Sequence, residues 1–304
     1  MNFLNLIRWK NLLMIALSQL LLKYALLEPF GVSTSLDILG ISLLILATLC
    51  IAAAGNIIND LNDIETDTIN KPNSIIVGKS ISEKSAYYYF IMFNIVGVGV
   101  GFYLSHLVNK SAFFSLFVIV SILLYVYATY LKRTFLIGNL VVSALVALSL
   151  IFVGIFDLIP SLTSLNRETQ LTFFNVILDY ALFAFLLNLL REITKDIEDI
   201  NGDFKAGMKT IPLVLGRERT KYILAFLNIV ILVGIIVYVI NSLYTQLSLV
   251  IYFLIFIIAP LIFTSVKIFN ADSNKEVGLI KNLYKWIMLF GMLSLLLYKY
   301  IILN

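Results

Sequence analysis

Between Lys221 and Lys267 the chain carries no ionisable acid, base or histidine: Tyr222 to Val266 is one apolar run with a few isolated polar side chains. Such a run needs a low-dielectric environment along its whole length. It also exceeds the roughly 20 residues with which an α-helix crosses the hydrocarbon core of a bilayer. Asn241, Ser242 and Gln246 mark where it turns back, so two crossings are expected from it. The rest of the chain follows suit. Hydrophobic residues make up 61 % of the 304 positions and charged residues only 13 %, which excludes an ordinary soluble globule.

Apolar segments bounded by charges or turn residues predict nine spans, near 11–28, 37–58, 86–106, 111–131, 135–157, 172–190, 221–241, 245–266 and 284–302. Continuous runs satisfy the backbone within each segment, so helices are expected rather than a barrel. No Gly/Ser-rich or Pro-rich linker divides the chain. The expected fold is all-α, one polytopic membrane domain over residues 1–304, with two Asp-rich cytoplasmic loops at 59–85 and 191–220.

Lys and Arg set the orientation. With the N-terminus inside, 18 of the 22 basic residues fall on the cytoplasmic side, leaving Lys23, Lys110, Arg167 and Lys299 outside. The expectation is an integral protein of a bacterial or archaeal cell membrane. Its net charge of +4 is a topology signal and implies no nucleic-acid partner. No small-residue cleavage site precedes Glu28 and Pro29, so the first apolar segment is read as a retained helix. Cys50 is the single cysteine, and His106 is read as an interfacial residue. Lys23 is expected to snorkel outward. Asp179, inside the sixth span, is read first as an interhelix contact. "GVGVG" at 97–101 is read as a helix-packing surface.

Most of the remaining chemistry lies in the two polar connections. Asp60, Asp63 and Asp67 make D-x-x-D-x-x-x-D, and Asp196, Asp199 and Asp203 make it again. Offsets of three and seven put each trio on one helical face, shared by Asn59 in the first copy. Like charges so placed repel, and more strongly beside a bilayer. One reading is a solvated, salt-bridged loop. The other is a hard divalent cation, Mg²⁺ most naturally, because the donors are oxygens with no His or Cys among them. Lys71, Lys79, Arg191, Lys195 and Lys209 flank the clusters, and Lys132 ends the fourth span on the same side. Carboxylates that hold Mg²⁺ beside several cations suit a diphosphate, and the greasy bundle suits its tail. An isoprenyl diphosphate donor meets both conditions.

"NDLNDIETD" and "KDIEDINGD" resemble the two aspartate-rich motifs of the UbiA superfamily of intramembrane prenyltransferases. "RWKN" before span one, "YATYLKR" followed by "GN" after span four, and "REITKDIEDINGDFKAGMKTIP" after span six extend the likeness over most of the chain. The resemblance implies that Asn59, Asp63 and Asp67 bind one Mg²⁺ with Asp60 nearby, and that Asp196, Asp199 and Asp203 serve a second. It also implies that Lys71, Lys132 and Arg191 hold the diphosphate, with Tyr127 beside the reacting carbon. The prenyl tail would lie among apolar helices, open sideways to membrane lipids.

The chain departs from the superfamily pattern after the first motif. "KPNSIIVGKS" puts Lys71 where an Arg is usual and Ser74-Ile75 in place of a second Arg-Pro, with Lys79 in position to compensate. Trp9 stands where a proline is usual, which leaves Arg8 and Asn11 without an assigned role. The second motif resembles the branch that attaches geranylgeranyl groups to glycerol phosphate ethers. The expected acceptor is therefore a lipid, geranylgeranylglyceryl phosphate, with an aromatic quinone precursor as the alternative. A cation transporter is the rival from another class, but it calls for ionisable groups along a midplane route.

Overall fold

A computed structural model describes residues 2–302, with side chains to Tyr298; Met1, the C-terminal pair and the side chain of Lys299 lie outside the described residues. Nine of its helices are long and apolar enough to cross a membrane. A short α1 (Asn2–Leu6) leads into α2 (Trp9–Phe30), followed by α3 (Ile38–Asn62), α4 (Ile64–Asn70), α5 (Glu83–Leu107), α6 (Ser111–Thr129) and α7 (Ile137–Leu158). After these come α8 (Arg167–Lys205), the short α9 (Ile211–Leu215), α10 (Arg217–Leu243), α11 (Leu247–Phe269) and α12 (Asn274–Tyr298). The described residues are all-helical apart from one isolated bridge, Val77 with Ile81.

Two predicted boundaries move. The sixth span, expected over 172–190, is a helix of 39 residues, about 58 Å at 1.5 Å per residue and far longer than the roughly 30 Å hydrocarbon core. No Pro or Gly interrupts it before Gly202, so the helix continues where the apolar run stops. The ninth span starts ten residues before the expected 284. There Ser273 and Glu276 form a capping box that fixes the first turn of α12.

The same helix extension corrects the expectation of two Asp-rich loops. The second motif lies wholly on α8. The first lies on the end of α3 and on α4, and Asp63 between them leaves helical geometry at φ −100°, ψ 3°. The first trio therefore does not share one continuous helical face.

Two apolar cores meet at α8. One holds side chains of α2, α3, α6, α7 and the start of α8, and the other joins its second half to α10, α11 and α12. The "GVGVG" stretch packs as read: a Cβ at Gly97 would lie 2.7 Å from Ile51 and 3.1 Å from the Ala47 carbonyl, and Gly101 is covered by the Phe117 ring. His106 is exposed and lies against the Phe102 ring.

Lys23 does not snorkel. It is 1 % exposed, and its Nζ lies 3.0 Å from Asp157 Oδ2, 2.8 Å from Thr34 Oγ1 and 2.6 Å from the Leu36 carbonyl. Asp157, fully buried, also accepts from Leu36 N–H at 2.8 Å. Both residues sit on wide, π-type turns, Leu22–Leu27 and Gly154–Leu158. An ammonium with this many oxygen partners has no reason to reach for water. The knot fastens the α2–α3 loop at the end of the bundle away from the motifs.

Candidate functional site

α3 delivers Asn59 and Asp60, the break at Asp63 turns that carboxyl inward, and α4 carries Asp67, with Lys71 directly after its end, across the top of α8. α8 presents Arg191, Glu192, Lys195, Asp199 and Asp203 from the other side, while Tyr127 and Lys132 come from the end of α6 and the turn after it. These side chains surround the polar mouth of a cavity of about 760 Å³. Its inner part runs among Ile15, Ile51, Leu124, Val142, Leu145 and Phe152. From Asn59 to Thr48, both on the wall, α3 rises about 16 Å. A ligand that fills this space is charged at one end and apolar over the rest.

The mouth is charged on both sides and largely paired. Lys71 Nζ reaches both carboxylate oxygens of Asp199, at 2.8 and 2.9 Å. Lys132 pairs with Asp63, which also accepts from Asn59 Nδ2 at 2.7 Å. Arg8 Nη2 meets Asp60 at 2.7 Å, and Arg191 Nη1 meets Glu192 at 2.8 Å. Burial, and next the Asp63 carboxylate, push the Asp67 carboxyl above the usual carboxylate range. A cation bound beside it would reverse that shift.

Three predicted residues are not on the wall. Asp196, on α8 between the wall residues Lys195 and Asp199, is instead engaged by α7, where it accepts from Asn139 Nδ2 at 2.8 Å. Lys79 is exposed and donates to the Pro72 carbonyl at 2.8 Å. Lys209 is exposed beyond the end of α8, where its backbone N–H meets the Arg133 carbonyl. The other predicted positions line the cavity: Asn59, Asp60, Asp63, Asp67, Lys71, Tyr127, Lys132, Arg191, Lys195, Asp199 and Asp203. Asp179 is exposed on α8 away from the cavity.

Sequence reading overlooked Glu192 and Lys281 on this wall and left Arg8 and Asn11 without a role. Glu192 had a signal, since it directly follows Arg191 ahead of the second motif. Arg8 lay in "RWKN", but the left-handed backbone that places it, φ 54°, is a feature of the fold.

The donor set fits a hard cation. All candidates are oxygens, and Asn59 Oδ1 is a buried acceptor without a hydrogen-bond partner. Among the described residues no three carboxylates converge into a ready cage. Mg²⁺ commonly uses one or two carboxylates and takes the rest of its shell from water and substrate phosphates, so it needs no such cage.

The model of the UbiA prenyltransferase family matches residues 25–286. The chain is similar to the digeranylgeranylglyceryl phosphate synthase of Methanosphaera stadtmanae, with 36 % identity over 72 % of this chain and 74 % of that protein. It is also similar to the enzyme of the same name from Methanococcoides burtonii, with 30 % identity over 96 % of this chain and 98 % of that one. Its fold matches a solved structure of a UbiA homolog from Archaeoglobus fulgidus bound to GPP and Mg²⁺, at TM-score 0.57 and 19 % identity over 97 % of this chain and 99 % of that chain. A family match across most of the sequence, and a relative aligned from end to end, agree with the motif pair and the amphiphilic cavity: this multi-pass integral membrane protein belongs to the UbiA prenyltransferase family.

Proposed function

We propose that the protein transfers a geranylgeranyl group from its diphosphate to geranylgeranylglyceryl phosphate. The observation that carries this reading is the single cavity that joins both Asp motifs to an apolar interior, in a chain aligned along nearly its whole length with a digeranylgeranylglyceryl phosphate synthase. The homolog that binds GPP and Mg²⁺ shares the fold and supports the choice of metal. We also propose that the motif side faces the cytoplasm, as the distribution of Lys and Arg implies.

Asn59, Asp63 and Asp67 on one side, and Asp199 with Asp203 on the other, are the residues that would hold Mg²⁺. When bound, Mg²⁺ supplies Lewis-acid neutralisation of the diphosphate. Lys71 and Lys132, now paired with Asp199 and Asp63, would exchange those partners for diphosphate oxygens. Arg191 and Lys195 complete the basic lining. As the allylic C–O bond breaks, both electrons leave with the diphosphate, and these cations stabilise its growing charge. The buried Tyr127 ring borders the mouth, where the face of an aromatic ring stabilises a carbocation. The acceptor hydroxyl then forms the ether bond and gives its proton to a wall carboxylate. The apolar walls keep water from trapping the cation.

The test supplies the purified protein with labelled geranylgeranyl diphosphate and a panel of acceptors, namely geranylgeranylglyceryl phosphate, 4-hydroxybenzoate, homogentisate and dihydroxynaphthoate. Product mass should show the diether phosphate. Product from an aromatic acceptor alone would reject the lipid assignment.

A further inference from the structure

The apolar end of the cavity has a definite floor. Going away from the mouth, α2 last touches the cavity at Ile15, α3 at Thr48, α6 at Val120 and α7 at Phe152. One turn further the same four helices present Gln19, Leu44, Phe117 and Phe156, each wholly buried and none on the cavity wall.

Two independent features stiffen that floor. The first is aromatic. The Phe152 ring packs edge-on against Phe117, with centroids 5.2 Å apart, and Phe117 lies 5.2 Å from Phe156. On its far side Phe117 rests on α5 at Gly101, where even a Cβ would come within 2.4 Å of the ring. The ring therefore cannot recoil from a ligand pressing on Phe152.

The second feature is polar. Gln19 Nε2 donates to the Ser149 carbonyl at 2.8 Å, and Gln19 Oε1 accepts from the Thr48 hydroxyl at 3.1 Å. These bonds tie α2, α3 and α7 together across the end of the cavity. Parting the three helices would leave buried polar groups without partners, far from water, and that is costly.

The depth available is set by the helices. From Asn59 at the mouth to Thr48 at the floor, α3 rises about 16 Å. An extended geranylgeranyl tail is longer than this, so its far end meets Phe152 and the hydrogen bonds beside it. A longer tail has to fold back on itself or leave the cavity sideways.

We propose that Phe152, seated on Phe117 and braced by the hydrogen bonds among Gln19, Thr48 and Ser149, sets the upper length of the prenyl tail. It admits a geranylgeranyl group and refuses one that is an isoprene unit longer. The inference rests on the isoprenyl diphosphate donor proposed above and is independent of the acceptor.

The test lets farnesyl, geranylgeranyl and geranylfarnesyl diphosphates compete at equal concentration for wild type, Phe152→Ala and Val120→Phe. Product masses give the ratios of kcat/KM within one sample, so a general loss of turnover cancels. Wild type should disfavour the geranylfarnesyl donor. Phe152→Ala should raise its share relative to geranylgeranyl by at least about tenfold, the discrimination that a small change of apolar pocket size supplies. Val120→Phe fills the level above Phe117 and should move the preference from geranylgeranyl toward farnesyl by a similar factor.

Binding gives a second readout. Without acceptor, geranylgeranyl diphosphate should raise the melting temperature of wild type more than geranylfarnesyl diphosphate does, and the gap should close in Phe152→Ala. If Phe152→Ala does not fold, Phe152→Leu shortens the side chain and carries the same test.

A wild type that takes the geranylfarnesyl donor as readily as geranylgeranyl, or unchanged ratios in folded variants, would overturn the floor as a measure of length and show that tails leave sideways. A wild type that prenylates only an aromatic acceptor would overturn the acceptor assignment alone, since the ratios can be read with that acceptor. Turnover of none of the three diphosphates would overturn the donor assignment and this inference together.

Discussion

The side-chain amide of Asn70 grips the backbone of α8 on both sides: Nδ2 donates to the Asp199 carbonyl at 2.9 Å, and Oδ1 accepts from Gly202 N–H at 2.8 Å. A Cβ on Gly202 would collide with that amide. Asn70 follows the first motif on α4, and Asp199 and Gly202 belong to the second. One carboxamide and one absent methyl group therefore set how the two clusters face each other.

Gly202→Ala should expose this relationship. In a helix interior Ala is favoured over Gly by about 0.5–1 kcal/mol, so the substitution alone would strengthen α8. Displacement of Asn70 should nevertheless lower the rate of transfer by at least about tenfold, which needs only 1.4 kcal/mol of lost alignment. Asn70→Ala, which removes two hydrogen bonds, should cost about 1–3 kcal/mol of stability as well. Single-turnover rates beside thermal unfolding in detergent would separate the two effects. Wild-type rates in both variants would show that the clamp does not position the motifs.

The buried pair at the other end should behave differently. Lys23→Met or Asp157→Leu alone leaves an uncompensated buried charge and should destabilise by about 3–5 kcal/mol. The double substitution should regain much of that loss. Thermal unfolding of the three variants forms the cycle, and a double variant that loses the sum of the single losses would contradict it.

How much of this was legible follows from which forces act locally. The spans were readable because each apolar run satisfies its own backbone. The repeated Asp spacing brought Asp63, Asp67, Asp199 and Asp203 to one mouth. Asp196 has the same spacing and a different fate, because spacing cannot reveal that α7 brings Asn139 to its level. Lys23 looked like a snorkelling residue because its partner lies 134 residues away. The length of α8 was hidden because hydropathy registers where the membrane ends, while a helix stops only where its backbone is broken or capped.

Tyr127 provides a test of the cation step. If the ring face stabilises the allylic cation, Tyr127→Phe should keep most of the turnover. Tyr127→Leu should lose about thirtyfold, the equivalent of roughly 2 kcal/mol for a desolvated cation–π contact. Steady-state rates at saturating donor would decide, and equal losses in the two variants would point to the hydroxyl instead.

Asp67 predicts a pH signature for the metal-free protein. Its carboxyl is raised in the folded state, by burial first and Asp63 next, so the folded state holds that proton more tightly than the unfolded chain does. Its contribution to stability therefore increases as pH falls from neutral through the raised value toward the ordinary range near about 4. Melting temperatures of wild type minus those of Asp67→Asn, taken across this window, should show the trend. Added Mg²⁺ should flatten it. A difference that does not vary with pH would place Asp67 in a solvated setting.

The central claim is that the two motifs form one metal-dependent site. The direct measurement is single-turnover ether formation from geranylgeranyl diphosphate by folded Asp63→Ala and folded Asp199→Ala, each beside wild type with EDTA and with Mg²⁺ restored. The account predicts no transfer in either variant or with EDTA, and full recovery of wild type on return of Mg²⁺. Near-normal turnover by either variant, or by wild type in EDTA, would contradict it.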